Sequence, residues 1–246
     1  QQVLKNIERM NIKFDNFTEL VQKYKNEGVP TYTELILALP GETYETFTKG
    51  LETLLEGGQH SGINVYLCML LPNSEMSHDD IKKYGIKSIH SPILQNHVTP
   101  GADPIREHTD YVIATDSMPV QDFRRAFLYS WAIQTFHSLG LTQDIAIYLK
   151  QQGFSYKDFY EGLLLEDSDT LTGHQVAFVN GRLDDALSGG EWGVIDQRYG
   201  NIVWPFEEIS FLNIITEDRE LFYNQIRKMT KKRLDFSLPD EIIQRQ

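Results

Sequence analysis

Two short apolar runs separated by an amphipathic stretch form the clearest hydrophobic pattern in the chain. The runs are Tyr32–Leu39 and Ile63–Leu71, and a proline follows each of them. Short apolar runs bounded by Pro or Gly are typical of strands that are covered on both faces, as in parallel sheets. Between them, leucines recur at helical spacing after Thr43, which is suited to cap a helix, and the pattern stops at Gly57. The pattern therefore predicts a β-α-β unit with two parallel strands.

One charged residue interrupts the first predicted strand. Glu34 shares a strand face with Ile36 and Ala38, whereas leucines occupy the other face. A carboxylate on a covered strand face is costly unless a partner satisfies it. Glu34 is therefore a candidate functional residue.

The sequence ELILALPGET, followed by a helix and LCMLLPNSEMS, closely resembles the last two strands of the partial barrel of radical S-adenosylmethionine (radical SAM) enzymes. It is most similar to members that carry an N-terminal cobalamin-binding domain, and VLKNIERMN resembles the helix after their fourth strand. The resemblance is specific over residues 1–77 and looser beyond. It implies an α/β fold, in which the C-terminal fragment of a partial (β/α)6 barrel precedes a mostly α-helical domain.

The resemblance also implies four residues of an S-adenosylmethionine site. Arg9 would grip the carboxylate of the ligand with two parallel hydrogen bonds. Glu34 would accept hydrogen bonds from the ribose hydroxyls, and Ile36 would pack against adenine. Met69 would bring the backbone of the last strand close to adenine, although a one-residue shift in register would reverse its face. The alternatives are an exposed helical Arg9, a Glu34 paired with a nearby cation, and an Ile36 that serves only the core.

Cysteine usage bears on the catalytic centre. Three cysteines in a CxxxCxxC loop hold the [4Fe–4S] cluster of this superfamily, and Cys68 is the single cysteine of this chain. We expect Cys68 to be a buried small hydrophobe. The chain starts with Gln in a predicted helix, so we expect a truncated enzyme whose cluster ligands, cobalamin domain and other N-terminal parts lie outside it. On this interpretation, the chain alone has no catalytic or metal-binding residues and is inactive.

The chain divides into three predicted parts. Residues 1–77 end the barrel, residues 78–115 lose periodicity and read as a linker, and residues 116–246 form the helical domain. Val120–Leu139 is predicted to be its central buried helix. Two strands alone leave a hydrophobic sheet edge unpaired, so we expect self-association.

Other chemistry-bearing residues lack the spacing of known sites. Four histidines in the linker do not have zinc-ligand spacing, and the acidic residues of 166–169 do not match a calcium loop. We predict no metal site at either. Three aromatic residues either cover the helical core or line a substrate pocket: Trp192, Tyr199 and Trp204. The histidines are His78, His90, His97 and His108.

Composition excludes several classes. A formal net charge of −12 argues against a nucleic-acid-binding surface. No apolar run reaches the roughly 20 residues that cross a bilayer, and a lone cysteine excludes an intrachain disulfide, so we expect a cytoplasmic protein.

Three functional hypotheses stay open. The first is a radical SAM enzyme that acts on a small-molecule or biosynthetic-intermediate substrate, with cobalamin-dependent methyl transfer as one form. The second is a non-catalytic binding or scaffold module. The third is a radical SAM enzyme similar to coproporphyrinogen oxidases or methylthiotransferases.

Overall fold

The computed structural model describes residues 2–7, 14–72, 76, 78–101 and 105–245, and these form a mixed α/β fold. The α-helices are α1 (Gln2–Asn6), α2 (Phe14–Asn26), α3 (Tyr44–Glu56), α4 (His78–Lys83), α5 (Val120–Ala132), α6 (Gln143–Gln151), α7 (Tyr156–Leu164), α8 (Leu171–Leu187), α9 (Phe206–Glu217), α10 (Arg219–Leu234) and α11 (Asp240–Ile243). The strands are β1 (Thr33–Leu37), β2 (Ile63–Leu67), β3 (Met69–Leu70), β4 (Lys87–Pro92), β5 (His108–Ala114), β6 (Val194–Ile195) and β7 (Val203–Trp204). A π-helix (Ile133–Ser138) follows α5, and a 3-10 helix (Gln197–Tyr199) follows β6.

The predicted β-α-β unit is confirmed. Strands β1 and β2 pair in parallel, in a register that begins with Thr33 opposite Ile63. Helix α3 between them starts after Thr43, whose hydroxyl accepts the backbone N–H of Thr46, while the Thr46 hydroxyl accepts the backbone N–H of Thr43. This reciprocal pair satisfies two of the donors that a helix start leaves open, which explains why the helix begins there.

The second predicted strand divides between two sheets. Strand β2 ends at Leu67, and the chain then passes to β3, which pairs antiparallel with β5 in a sheet of order β3-β5-β4. The cause is the backbone of Ala38, whose φ of 68° turns β1 away directly after Leu37. The carbonyl of Cys68 instead accepts the backbone N–H of Val112, so β5 takes over the pairing.

Residues 78–115 contain more regular structure than their sequence predicts. They hold α4 and the antiparallel hairpin of β4 and β5, where the loss of periodicity predicted a linker. The alternation is weak because β4 has polar residues on both faces and only one fully buried position, Ser91. Strands β6 and β7 pair antiparallel and form a second hairpin.

One hydrophobic core joins the β-α-β unit to the helices. It includes Leu37 and Phe47 from the first unit and Trp131, Phe159 and Ile226 from the helices. Residues before 77 and after 116 thus share this core, and the division into three parts stays a prediction. Within the described ranges, no helix combines the length and apolarity needed to cross a membrane.

The predicted helix over residues 120–139 widens into a π-helix in its second half, and this segment covers one edge of the parallel strand pair. The backbone N–H of Val65 donates to Gln134 Oε1 at 2.9 Å, and that of Ile63 donates to Ser138 Oγ at 3.2 Å. Side chains thus replace a neighbouring strand at the β2 edge. The expected unpaired edge is that of β1, and self-association through it stays a prediction. Strand β1 has one partner, β2, among the described strands.

Replacing Gln134 tests this edge. In Gln134→Leu the partly buried N–H of Val65 loses its acceptor, so we expect a loss of about 1–3 kcal/mol in the free energy of unfolding by urea. Gln151→Leu, on the exposed end of α6, is the matched control and should change stability by less than about 0.5 kcal/mol. Equal stability of the two variants would show that the Gln134 contact contributes nothing.

Candidate nucleoside site on the parallel strand pair

The two faces of the β1–β2 pair have different surroundings. Leu37, on one face, is completely buried in the hydrophobic core. On the opposite face, Glu34 lies opposite Asn64 and Ile36 lies opposite Tyr66. Glu34, Asn64 and Tyr66 are exposed, so the expectation that both faces of the first strand are covered is wrong for this face. The result is an open strand face that combines a carboxylate, an amide, a phenol and an aliphatic side chain.

Tyr66 lies diagonally across from Glu34 on this face, opposite Ile36. Tyr66 is 50% exposed as a residue, yet partial burial raises the pKa of its hydroxyl, and the nearby charge of Glu34 raises that pKa further. Tyr32 and Glu207 make smaller contributions in the same direction. Within the described part of the chain, Glu34 forms no ion pair, so the alternative of a glutamate neutralised by lysine or arginine finds no support there.

The other three predicted site residues are Ile36, Met69 and Arg9. Ile36 is partly buried and borders the core on the same face as Glu34. Met69 is 42% exposed and lies beyond the end of β2, where it pairs with Tyr111 in the antiparallel sheet. Arg9 lies outside the described residues. The structure therefore brings Glu34 and Ile36 together, and all four roles stay predictions.

The loop after β1 holds a second carboxyl that the sequence did not single out. Glu42 accepts hydrogen bonds from the backbone N–H groups of Ala38 and Leu39, yet burial dominates and raises its pKa to about 7. Its Oε2 atom is buried without a hydrogen-bond partner among the described residues. The loop lies at the carboxyl end of the parallel strands, the edge where open α/β sheets bind ligands. The signal in the sequence was the Pro-Gly-Glu turn itself.

Cys68 does not fit an iron–sulfur cluster. Its side chain is buried, as predicted, and burial, followed by the nearby charge of Glu42, raises its thiol pKa to about 11. A cluster needs several cysteine thiolates, whereas this chain has one cysteine, held as a thiol. The single cysteine of this chain therefore cannot hold a four-iron cluster by itself.

Three hydrogen-bonding side chains lie at the opposite end of the strand pair, before β2: the partly buried His60 and the buried His137 and Tyr160. His60 Nδ1 lies 3.0 Å from His137 Nε2, and His137 Nδ1 lies 2.6 Å from the Tyr160 hydroxyl. Burial lowers the pKa of His60 to about 4 and that of His137 to about 3. His60 also borders a cavity of about 610 Å³ with Lys25 and Gln143. Sequence reasoning missed these three side chains, although a histidine within the apolar helix pattern was a signal.

His90, His97 and His108 form hydrogen bonds or ring contacts, whereas the side chain of His78 lies outside the described part of the structure. His90 Nδ1 lies 3.0 Å from Asp110 Oδ1 and its ring stacks on His108, while His97 Nε2 lies 2.6 Å from Glu208 Oε2. No group of three or more metal-ligating side chains occurs among the residues that were searched, which are the described ones.

The acidic residues after α7 pair with the basic end of α10. Glu166 lies 3.2 Å from Arg233, and Asp167 lies 3.4 Å from Lys232. Because the Glu166 side chain is only 9% exposed, the first of these pairs is well shielded from solvent. These residues join two helices through contacts that are remote in the sequence.

The three aromatic candidates face different neighbours. Trp192 packs against Tyr111 and Phe127, which places it over the helical core. Trp204 meets the ring of His97 edge-on, whereas the Tyr199 hydroxyl lies 2.7 Å from that of Thr216. For Trp192, this arrangement favours the core alternative over the pocket alternative.

Comparison with known proteins identifies relatives by sequence. No protein-family model matches the chain. The chain is 37% identical over 164 residues to the cobalamin-dependent radical SAM methyltransferase TokK of Streptomyces tokunonensis, a match that covers 65% of this chain. It is 35% identical over 164 residues to the 2-(S-pantetheinyl)-carbapenam-3-carboxylate methyltransferase of Streptantibioticus cattleyicolor, again over 65% of this chain.

These matches relate the chain to the radical SAM family, as its strand motifs indicated. Both relatives are methyltransferases, and TokK is a cobalamin-dependent one. Each match covers 24% of the relative, so this chain spans about a quarter of the length of the proteins it matches.

Proposed function

We propose that the chain supplies part of the S-adenosylmethionine site and a substrate-covering helical domain of a cobalamin-dependent radical SAM methyltransferase. The observation that carries this proposal is the exposed face of the β1–β2 pair, where Glu34 presents a carboxylate next to Tyr66. The relation to TokK gives the class of reaction.

In this proposal, β1 and β2 are the last two strands of a six-stranded partial barrel. Helices cover the outside of a (β/α) barrel, and the opposite strand faces line its interior. The face with Leu37 is packed in the core, so the face with Glu34 and Ile36 would point inward. The free edge of β1 would then receive the preceding strand of the barrel.

Each site residue has a defined binding role. The Glu34 carboxylate accepts hydrogen bonds from the ribose hydroxyls, since an ionised carboxylate offers about four acceptor positions. Ile36 packs against adenine, the backbone near Met69 approaches the same ring, and Arg9 pairs with the ligand carboxylate. The radical and the methyl group come from the cofactors of the whole enzyme, and this chain binds, orients and shields.

The substrate class follows from the relatives and not from a contact in this chain. One relative is named for a small-molecule carboxylate that carries a pantetheinyl group. We propose a small-molecule biosynthetic intermediate as the substrate here, covered by residues 116–246. The lone thiol is compatible with a reducing cytoplasm, where the whole enzyme would act.

Titration of S-adenosylmethionine into the full-length protein tests the site. We expect Glu34→Gln to weaken binding about 10-fold to 100-fold, because a charged acceptor of the ribose hydroxyls is lost. Glu27→Gln, an exposed glutamate after α2, is the matched control and should bind as the unmodified protein does. Equal affinity of Glu34→Gln and the control would reject the site.

The gene sequence upstream of Gln1 tests the class of protein. An in-frame CxxxCxxC supports the enzyme, because those cysteines are the cluster ligands that this chain does not contain. A start codon directly before Gln1 would favour the alternative of a non-catalytic binding or scaffold module.

A further inference from the structure

Tyr66 and Glu34 are held on adjacent strands of a parallel pair. Tyr66 lies opposite Ile36, two residues after Glu34, so its side chain can reach diagonally to the carboxylate. Both strands have one face in the core, which fixes their register and keeps the two side chains on the same open face. The contact is thus set by the fold and not by a mobile loop.

We propose that Tyr66 is a positioning residue of the nucleoside site, whose hydroxyl donates a hydrogen bond to Glu34 and fixes the carboxylate for the two ribose hydroxyls. This inference rests on the proposed function and adds to it a residue that neither the strand motifs nor the relatives assign.

The need for such a residue follows from the exposure of Glu34. An exposed glutamate samples many rotamers, and binding a diol with both carboxylate oxygens requires one of them, so ordering the side chain costs affinity. One hydrogen bond from Tyr66 selects a rotamer before the ligand arrives. It uses one acceptor position and leaves the others for the ribose.

The electrostatics of the face keep Tyr66 in the donor state. Burial and the charge of Glu34 both raise the pKa of its hydroxyl, and Glu207 and Tyr32 act in the same direction. The phenol therefore stays protonated at neutral pH. Phenylalanine has the same ring but no donor, so Tyr66→Phe removes the hydrogen bond while keeping the apolar contact with Ile36.

The test compares two ligands in the full-length protein. We expect Tyr66→Phe to weaken S-adenosylmethionine binding about fivefold to tenfold. Binding of the 2′,3′-dideoxy analogue should not change, because that analogue has no ribose hydroxyl that could donate a hydrogen bond to Glu34. Tyr24→Phe, a tyrosine on α2 that is 37% exposed, is the matched control and should affect neither ligand.

The outcomes separate this inference from the function on which it rests. If Glu34→Gln weakens only the ribose ligand while Tyr66→Phe changes nothing, the nucleoside site stands and the role of Tyr66 is rejected. If Tyr66→Phe weakens both ligands equally, Tyr66 is structural and its positioning role is again rejected. If Glu34→Gln changes neither ligand, the proposed site itself fails, and the role of Tyr66 fails with it.

Discussion

Lowering the pH from 7 to 4 is expected to cost this protein about 3 kcal/mol more stability than it costs a His60→Asn variant. The reason is the partly buried His60, whose Nδ1 atom lies 3.0 Å from Nε2 of the buried His137. Burial lowers the pKa of His60 to about 4, and the positive charge of Lys25 acts in the same direction. Urea unfolding at both pH values measures the difference.

The sign follows from which state takes up the proton first. An unfolded histidine titrates near pH 6.5, whereas folded His60 stays neutral down to about pH 4. As the pH falls between these values, the unfolded state binds the proton and the folded state does not, so stability is lost. The groups facing the pair are the Tyr160 hydroxyl, 2.6 Å from His137, and the Tyr156 ring, 6.4 Å from that of His60, and neither supplies a negative charge at these pH values.

Two carboxyls titrate in the opposite sense, so the comparison must be between variants. Burial raises the pKa of Glu42 and of Glu207 to about 7. As the pH falls from 7, the folded state binds these protons before the unfolded state does, so both groups stabilise the folded protein. Both glutamates are present in the unmodified protein and in His60→Asn, so their contributions cancel when the two pH dependences are subtracted. A His60→Asn variant with the same pH dependence as the unmodified protein would refute the role of the pair.

Trp131→Ala is expected to lower the free energy of unfolding by about 3–5 kcal/mol. Trp131 is 1% exposed and meets the Phe136 ring edge-on, with ring centroids 5.6 Å apart. Its indole N–H lies 3.3 Å from both the carbonyl of Phe206 and the hydroxyl of Ser210, so it ties α5 to α9. Alanine leaves a cavity and two acceptors without their donor. Chemical denaturation measures the loss.

Two further variants separate packing from hydrogen bonding at this position. Trp131→Phe keeps much of the ring volume and should lose clearly less stability than the alanine variant. Ser210→Ala removes one of the two acceptors and should cost about 1 kcal/mol. A loss below about 1 kcal/mol for Trp131→Ala would contradict the central place of this side chain in the core.

Local sequence patterns predicted the elements whose determinants are close together in the chain. The apolar runs around Glu34 and after Ile63, with the cap at Thr43, specify a β-α-β unit because strand period, helix period and capping act over a few residues. The same stretch led to the family, since its motif is short and contiguous. It also pointed to Glu34 and Ile36, which the structure places on one face.

The contacts between distant residues were decided only by the tertiary structure. Val65 donates to Gln134, His60 lies beside His137, and Tyr66 lies diagonally across from Glu34 on the neighbouring strand. The pattern of apolar positions shows which face of an element is buried, but it does not show which polar side chains of distant elements will contact each other. Such pairings depend on how the elements pack, and packing is a property of the whole chain.

The sequence alone determined the parallel unit, its helix cap and the relation to radical SAM enzymes, because each depends on residues that are neighbours along the chain. The tertiary structure decided that the last strand leaves its partner after Leu67, because Ala38 turns β1 away and β5 offers a free backbone. It also decided which carboxylates stay open to a ligand and which are buried. Glu34 lies on the strand face outside the core, whereas the loop after β1 folds Glu42 inward.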